Sequence, residues 1–503
     1  MNIKFTRQER FITFVVAIAF FVTNSLVILQ GLKWGIFGGM VVIITAFSYK
    51  YPRKSLWFFL IYLPFGGTIS YSLDSLVYRP VGAYVILSEM YVLIHLVRYI
   101  FYFSPLFALI LTSSRLKQLI SQAKIILLLG LILFVSCLLT LFLVNLPEQL
   151  ANPNTNRSFL IGLIGLKSLL GYIPFLICGY YLVRNYCDLV FLMRSHLLII
   201  LICCILCVIQ YWLLSTGICP GNIDLPSPAD TRASLQARCF VGGSLLYNTQ
   251  QKLISLPGTF VAPWQWAWFL IASSFLAMGT YLSESSRLWR IIGFLTVGLV
   301  LVAAIISGQT TATLLVPIIF LILISITESN RKRLSVKLFW TILLLVLIAN
   351  NFGIFGSALD SVIARWQYSP PQEFIKNQFT WVSSDGITIL GSGLGKATNS
   401  ARIFGDIKFV ETFYPALLYQ IGWLGTSVYL MLLSATTIIT FQKYCYLKNK
   451  SFKRLGICLW IFILFISYNT YYYPLVVEPV AIYYWFFAGV LLKLPELENS
   501  RNE

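Results

Sequence analysis

Long apolar runs separated by short polar connections set the pattern of this chain. A helix needs about 20 mostly apolar residues to cross a bilayer. Runs of that kind stand near 11–29, 34–49, 56–73, 83–112, 124–145, 159–182, 196–216, 263–283, 291–307, 311–327, 338–355, 411–441, 456–473 and 475–494. The pattern predicts an all-α polytopic membrane protein with about fourteen transmembrane helices. The run at 83–112 is long and interrupted at Pro105, and the one at 311–327 is short.

Two connections are far longer than the rest, 217–262 and 356–410. They divide the chain into N-terminal helices (1–216), a first large loop (217–262), central helices (263–355), a second large loop (356–410), and C-terminal helices with a tail (411–503). The basic start, Met1 to Arg10, runs into apolar sequence with no small-residue cleavage site, so 11–29 reads as a retained first span. No internal repeat is visible, which counts against a transporter built from inverted halves.

Composition agrees with the pattern. The 503 residues are 58% hydrophobic and 11% charged, with a mean hydropathy of +0.80, whereas soluble domains carry roughly 25% charged residues. The net charge of +19 raises nucleic acid as a partner. Its distribution points instead to membrane topology. With the N-terminus inside, 24 Lys and Arg fall on inside segments, 11 on outside segments and two, Arg98 and Lys167, within spans. This is the positive-inside bias, and an even number of spans places both termini in the cytoplasm. Both large loops are then extracytoplasmic. Ten Cys occur, many in apolar runs, the CxxC of Cys204 and Cys207 among them, where they act as small apolar residues, and two His leave little from which to build a zinc site. Cys219 and Cys239 share the first outer loop, where a disulfide is open to them but is not established by sequence.

Eight of the eleven outside cations sit on the two large loops. They form either an ordinary solvated surface or an anion-binding one. Arg232 and Arg238 are six apart and, on a helix, lie on roughly one side; their guanidinium forks match phosphate oxygens. The alternative is an amphipathic helix resting on the membrane. Trp264, Trp266 and Trp268 open the next span as an interfacial belt, with sugar stacking as the other reading. In the second loop, Gly391, Gly393 and Gly395 either cradle phosphate with backbone N–H groups or make a flexible turn. They lack the Lys-Ser/Thr ending of a nucleotide-binding loop. Glu411 follows at the mouth of the next span, where desolvation suits a carboxylate to act as a general base; the bland reading is an acid favoured by a helix N-terminus. Asp385 and Asp406 compete for the base role. Arg98 and Lys167, as intramembrane cations, are candidates to meet a lipid diphosphate or else snorkel to the surface.

Four features in this order resemble the O-antigen ligase and Wzy-type polymerase superfamily. They are Gly258-Thr259-Phe260 with Pro263, the turn Ser307-Gly308-Gln309-Thr310-Thr311, the segment Gly391-Ser392-Gly393-Leu394-Gly395, and Glu411 leading to Tyr414, Leu417, Leu418, Gly422 and Gly425. Where that family often carries a catalytic His, this sequence has Glu411, which departs from the ligase pattern and leaves a carboxylate as the base. Arg232 to Gly243 also matches the family's spacing of Arg, ten residues, then Gly; Arg365 and Arg402 do not, since Lys376 and Phe413 stand at the matching positions. The resemblance covers roughly 230–430.

It implies a metal-independent, cofactor-free glycosyltransferase in the plasma (inner) membrane. A glycan on a polyprenyl diphosphate would be transferred to an acceptor hydroxyl at the outer face. Glu411 would be the base, and Arg232, Arg238, Arg402, Arg98 and Lys167 would face the diphosphate, with Gly243, Gly391, Gly393 and Gly395 shaping the loops. Partners would be the lipid-linked glycan, membrane lipid and other polysaccharide export proteins, not nucleic acid. A ligase with a different acceptor, an anion transporter of bicarbonate type and a non-catalytic scaffold are the alternatives.

Overall fold

A computed structural model describes residues 6–69, 99–111, 115–151, 157–218, 238–239, 241–244, 246–248, 253–328, 330, 332, 335, 363, 366–367, 370–384, 386–398, 401, 404–405 and 407–502. The protein is helical, with two short hairpins as its strands among these residues. Ten helices are long and apolar enough to cross a membrane: Gln8–Gln30, Gln118–Ala151, Ser158–Leu182, Tyr186–Ser215, Pro263–Ser283, Arg287–Ile306, Thr310–Thr327, Phe413–Cys445, Lys450–Tyr468 and Val480–Arg501. Each falls on one of the expected runs, which makes this a multi-pass membrane protein. The run at 34–49 is a shorter apolar helix, Trp34–Lys50, and 83–112 is described only as Tyr99–Leu111. The run at 338–355 lies outside the described residues. In the run at 56–73 the helix Pro52–Tyr62 tightens to a 3-10 turn over Leu63–Phe65 and is helical again over 66–69, after which the run lies outside the described residues; Pro64 brings no N–H and a fixed φ to that point, which favours the tightening.

The chain forms two compact units, 1–63 with 72–117, and 64–71 with 118–503. In the first unit, α1 (Arg7–Gln30) and α2 (Leu32–Lys50) make an antiparallel hairpin about Gly31. Thr6 caps α1 reciprocally, its hydroxyl accepting from the Glu9 N–H at 3.2 Å while Glu9 Oε2 accepts from the Thr6 N–H at 2.6 Å. Helix α3 (Pro52–Tyr62) and α4 (Tyr99–Leu111) join them through hydroxyls: Ser55 donates to the Phe101 carbonyl and Ser104 to that of Thr45.

The second unit is an antiparallel bundle. Its first span is α5 (Arg115–Thr140), a π-helical turn at Leu141–Asn145 and α6 (Leu146–Ala151). Then come α7 (Ser158–Leu170), α8 (Phe175–Leu182) and α9 (Tyr186–Ser215). Strands β1 (Arg238–Cys239) and β2 (Gly242–Ser244) pair antiparallel, as do β3 (Leu246–Asn248) and β4 (Leu253–Ser255). Helices α10 (Pro263–Ser283), α11 (Arg287–Ile306), α12 (Thr310–Thr327), α13 (Pro371–Ser383), α14 (Phe413–Cys445), α15 (Lys450–Tyr468) and α16 (Val480–Asn502) follow. At the centre lies α16, whose apolar stretch is 89% buried. Such all-round burial explains why it is apolar on every side rather than along one stripe.

The two ends of this bundle are chemically distinct. One end collects Arg184, Arg194, Arg287, Arg290, Lys443, Lys448, Lys450, Lys453, Arg454, Lys493 and Arg501, where helices start or stop. There Arg194 grips Glu284 through Nε and Nη2, both at 2.9 Å. Glu498 accepts the backbone N–H groups of Lys448 and Asn449. Burial alone would push the Glu284 carboxyl up, but Arg194 and the N–H groups of Ser286 and Ser285 outweigh it and hold it below its ordinary range. Helix alternation carries the described parts of both large loops to the opposite end, termed the mouth here. Leu256 N–H meets the Ser307 carbonyl at 2.9 Å, and Phe413 N–H meets that of Thr470 at 3.2 Å.

Candidate mouth site

The late loop is folded down onto the bundle. Helix α13 presents Phe374, Ile375, Gln378 and Val382 on its protected side, an i, i+1, i+4, i+8 stripe that faces protein. Phe374 meets the rings of Tyr471 and Tyr472 at 5.7 and 6.5 Å. The far end of α13 is fastened by Lys408, whose Nζ donates to the Trp381 carbonyl at 2.7 Å and lies 4.7 Å and 5.4 Å from the Trp381 and Tyr419 ring centres.

The glycine segment then enters the bundle. Helix α14 is broken at Gly422 (φ 63°, ψ −166°), about 13 Å along its axis from Phe413. A Cβ at Gly422 would sit 2.3 Å from the Ile389 oxygen and 2.4 Å from the Gly391 nitrogen, so the break is where the late loop fits. Gly395 makes the second tight approach: with φ +78°, its Cβ would lie 2.0 Å from the Ile161 carbonyl oxygen on α7. Irregular backbone at such depth must find its hydrogen bonds inside the protein, and here it does. Asn145, fully buried in the π turn, accepts from Leu394 N–H at 2.9 Å and donates to the carbonyls of Leu394 and Ser158 at 3.1 and 3.0 Å. Gln420 Oε1 accepts from Gly395 N–H at 2.9 Å and from the Thr398 hydroxyl at 3.1 Å. Ser392 N–H reaches the Tyr419 carbonyl at 2.7 Å, and Thr140 donates to that of Leu390 at 3.0 Å. Lys396 closes the outer side on Glu148 at 2.6 Å, and Ser158 donates to the same carboxylate oxygen. The N–H groups of Ser392, Leu394 and Gly395 are thus spent within the protein.

Glu411 sits half-buried immediately before α14. Its backbone N–H donates to Gln378 Oε1 at 2.9 Å, which ties α13 to this position. Among the described residues no cation and no hydrogen-bond donor engages its carboxylate. Tyr473 lies close enough to feel it: burial first, and then the Glu411 charge, push the Tyr473 phenol up to about 12. An accessible carboxylate can accept a proton, and a phenol that keeps its own can donate a hydrogen bond.

Lys167 lies on α7, nine residues from its start. Its Nζ is 3.8 Å from Glu478 Oε1 and 5.7 Å from the Tyr172 ring centre, and Tyr172 OH donates to the same carboxylate oxygen at 2.7 Å. Glu478 stands at the approach to α16 and is buried. The intramembrane cation read from sequence therefore has a carboxylate counterpart that sequence reasoning did not identify.

In the first loop, the Gly258-Thr259-Phe260 turn is buried, not displayed. Gly258 N–H donates to Gln210 at 3.0 Å, the Thr259 hydroxyl to the Pro64 carbonyl at 2.6 Å, and the Thr259 carbonyl accepts from Gly67 and Thr68. Trp266 packs 6.1 Å from Phe260 and is fully buried, as Trp268 is nearly so; Trp264 is the exposed member of the three.

Of the residues singled out from sequence, Arg98, Arg232, Arg402, Arg365, Asp385, Asp406 and Cys219 lie outside the described residues. Arg238 and Cys239 are placed by backbone in β1, and Gly243 in β2. Gly391, Gly393 and Gly395 come together with Asn145 and Gln420; Glu411 comes together with Gln378 and Tyr473. Asn145, Gln210, Gln378, Gln420, Tyr172 and Glu478 went unread. Asn145 and Gln210 carried a signal, being amides within or beside apolar runs, where a polar group needs a partner. Among the described residues no three His, Cys, Asp or Glu gather to hold a metal ion. No protein-family model matches the chain, and no curated protein matches it either.

Proposed function

We propose that the protein is a membrane glycosyltransferase of polymerase type, which moves a polyprenyl-diphosphate-linked glycan onto an acceptor sugar hydroxyl at the outer face of the plasma membrane. The observation that carries this reading is Glu411. It is a carboxylate without a counter-ion among the described residues, positioned through its backbone by Gln378, beside a protonated phenol at the mouth of the bundle. In the proposed reaction Glu411 takes the acceptor O–H proton as that oxygen attacks the anomeric carbon. The bond from that carbon to the diphosphate oxygen breaks, and the lipid diphosphate leaves with the electron pair. Arg232, Arg238, Arg402, Arg98 and Lys167 are the cations proposed to face the departing charge. The resemblance to the O-antigen ligase and polymerase superfamily supports this chemistry and leaves a ligase acting on a different acceptor as its near variant. Other polysaccharide export proteins are the partners it would work beside.

The test is polymer length on cells. Glu411→Gln and Arg232→Ala each abolish elongation at unchanged protein level, leaving single repeats on gels of surface glycan. Normal polymer in both overturns the enzyme reading. Full-length lipid-linked chains left unattached in a deletion strain mark the ligase variant.

A second reading, anion transport, is favoured by one specific feature. Three spans of the same unit are interrupted, at the π turn 141–145, between α7 and α8 over 171–174, and at Gly422. Discontinuous helices are the usual framework of transporter sites. Loss of anion flux in Lys167→Ala with polymer intact favours it.

A further inference from the structure

Glu411 stands in an enclosure made by a sharp bend in α14. Phe413 and Tyr429 are 16 positions apart on that helix, which a straight helix would carry about 24 Å apart, yet their ring centres lie 5.6 Å from each other. The break at Gly422 therefore turns the chain back on itself. Gly425 admits Ile421 to the inside of the bend, since a Cβ there would lie 2.7 Å from the Ile421 side chain. The bend lays the start of α14 against the connection from α15 to α16. Phe413 N–H meets the Thr470 carbonyl at 3.2 Å, and Tyr414 OH donates to the Ser467 carbonyl. Helix α13 closes the third side, through Phe374 on Tyr471 and Gln378 on the Glu411 N–H.

The connection is held in an uncommon shape. Asn469 Nδ2 donates to the Tyr471 carbonyl at 2.7 Å, and Tyr472 is the one non-glycine residue with a left-handed φ, 57°, among the described residues. Such a conformation persists where the surroundings fix it, and it clusters at ligand sites. The groups gathered around Glu411 are polar but not cationic. The Tyr473 phenol lies close to the carboxylate and makes no hydrogen bond among the described residues; the Thr470 hydroxyl has no partner there either. Tyr471 is half-buried, and its ring neighbours Phe374 and Tyr472 cross it at 66° and 73°, so neither lies flat on it. A carboxylate in such a place repels phosphate. The hydroxyls of a neutral polyol donate and accept at once, and so satisfy a carboxylate and a phenol together, while an aromatic ring takes an apolar face.

We infer that this enclosure binds a neutral pyranose sugar: adjacent ring hydroxyls go to the Glu411 carboxylate and the Tyr473 phenol, and the C–H face of the sugar lies on the Tyr471 ring. Tyr471 and Tyr473 thereby select which sugar presents its hydroxyl to Glu411. That this sugar is the acceptor rests on the proposed function. That the enclosure takes a neutral polyol rests on the groups around it.

The test uses the full chain in nanodiscs, with the methyl glycosides of glucose, galactose, mannose, rhamnose and N-acetylglucosamine as probes and binding read by saturation-transfer NMR with titration. At least one glycoside binds, and its ring C–H protons are the most strongly saturated. Tyr471→Ala weakens that binding about three- to tenfold and removes the C–H saturation, whereas Tyr471→Phe keeps both. Should Tyr471→Ala fail to fold, Tyr473→Phe, which removes a single oxygen, is the second variant and weakens binding about three- to tenfold. No binding of any of these glycosides to the wild-type protein overturns the proposal, and so does undiminished binding in the folded variant. Inorganic pyrophosphate is the contrasting probe: if it displaces the glycoside, the enclosure belongs to an anion and the proposal falls. Polymer length in Glu411→Gln decides the enzyme reading separately. Normal polymer with glycoside binding intact removes the base and leaves the sugar site; lost polymer in that variant without glycoside binding to the wild type removes the sugar site and leaves the base.

Discussion

The two ends of the larger unit are held together by different chemistry. At the basic end, charges do the holding. Arg194 forks onto Glu284 with two bonds of 2.9 Å, and Glu498 caps the turn into α15. At the mouth, neutral amides do it. Asn145 and Gln420 fasten the glycine segment, Gln378 fastens α13 to residue 411, and Gln210 fastens the Gly258 turn. The difference has a physical reason. Irregular backbone inside a bundle needs donors and acceptors at once, which an amide supplies and an ionised carboxylate does not. It also has a functional consequence: amides carry the buried backbone bonds at the mouth, the lysines there close its rim, Lys396 on Glu148 and Lys408 on the Trp381 carbonyl, and no described cation is spent on the Glu411 carboxylate.

The contrast breaks most visibly at the basic end. Arg194→Ala leaves Glu284 partly buried without its guanidinium, and breaking such a pair costs about 3 kcal/mol, read as a large drop in the midpoint of thermal unfolding in lipid or detergent. The pH dependence has a definite sign. Glu284 is held below its ordinary range in the folded protein, so its contribution is complete above the unfolded value of about 4.3 and is lost as pH falls through the lowered folded value. The gap in midpoint between wild type and Glu284→Gln is therefore steady from neutral pH downward and closes in the acid range. A gap that widens on acidification would show that the clamp is not ionic.

At the mouth the corresponding change is Asn145→Leu, which keeps the volume and removes both arms of the amide. Leu394 N–H then loses its acceptor in a buried place, for about 2 kcal/mol. Thermal unfolding should shift less than in Arg194→Ala. Cysteines introduced at Ser392 or Thr398 should gain reactivity toward a membrane-impermeant maleimide, because the glycine segment is no longer latched. An unfolding shift without any gain in labelling would mean that the segment is held by the Gly395 and Gly422 fit rather than by the amide.

These amides also mark where sequence reading stops. An apolar run of 20 residues is a local property, so α9, α10, α11 and α16 were legible at once. Lys167 was legible as well, because a charge in such a run stands out. Its partner was not: Glu478 looks like an ordinary acid in a connection, and Tyr172 meets it across 306 positions. Asn145 and Leu394 are 249 apart, and in a count of apolar residues Asn145 is merely an impurity near the end of a run. The tightening at Pro64 is hidden for the opposite reason. The flanking residues are helical and apolar enough to read as one span, and only the proline and the bond its carbonyl accepts from Thr259 mark the change. Glu411 was found from its place before a span; what positions it, Gln378 on a short helix with a protected stripe, belongs to a segment that hydropathy reads simply as loop.

Gln378 gives the smallest and most selective test. Gln378→Leu removes the acceptor for Glu411 N–H on a half-buried surface and should cost about 1 kcal/mol, within reach of a careful unfolding series but small beside Arg194→Ala. Its effect on function should be out of proportion to that cost. If the amide sets the position of residue 411, the variant makes shorter polymer at normal protein level, and Gln378→Asn, with the same group on a shorter arm, recovers only part of the length. If α13 is merely a cover, polymer length follows the stability loss, and Gln378→Leu and Gln378→Asn behave alike once matched for folded protein. Measuring chain length against folded fraction in the two variants separates a positioning amide from a packing one.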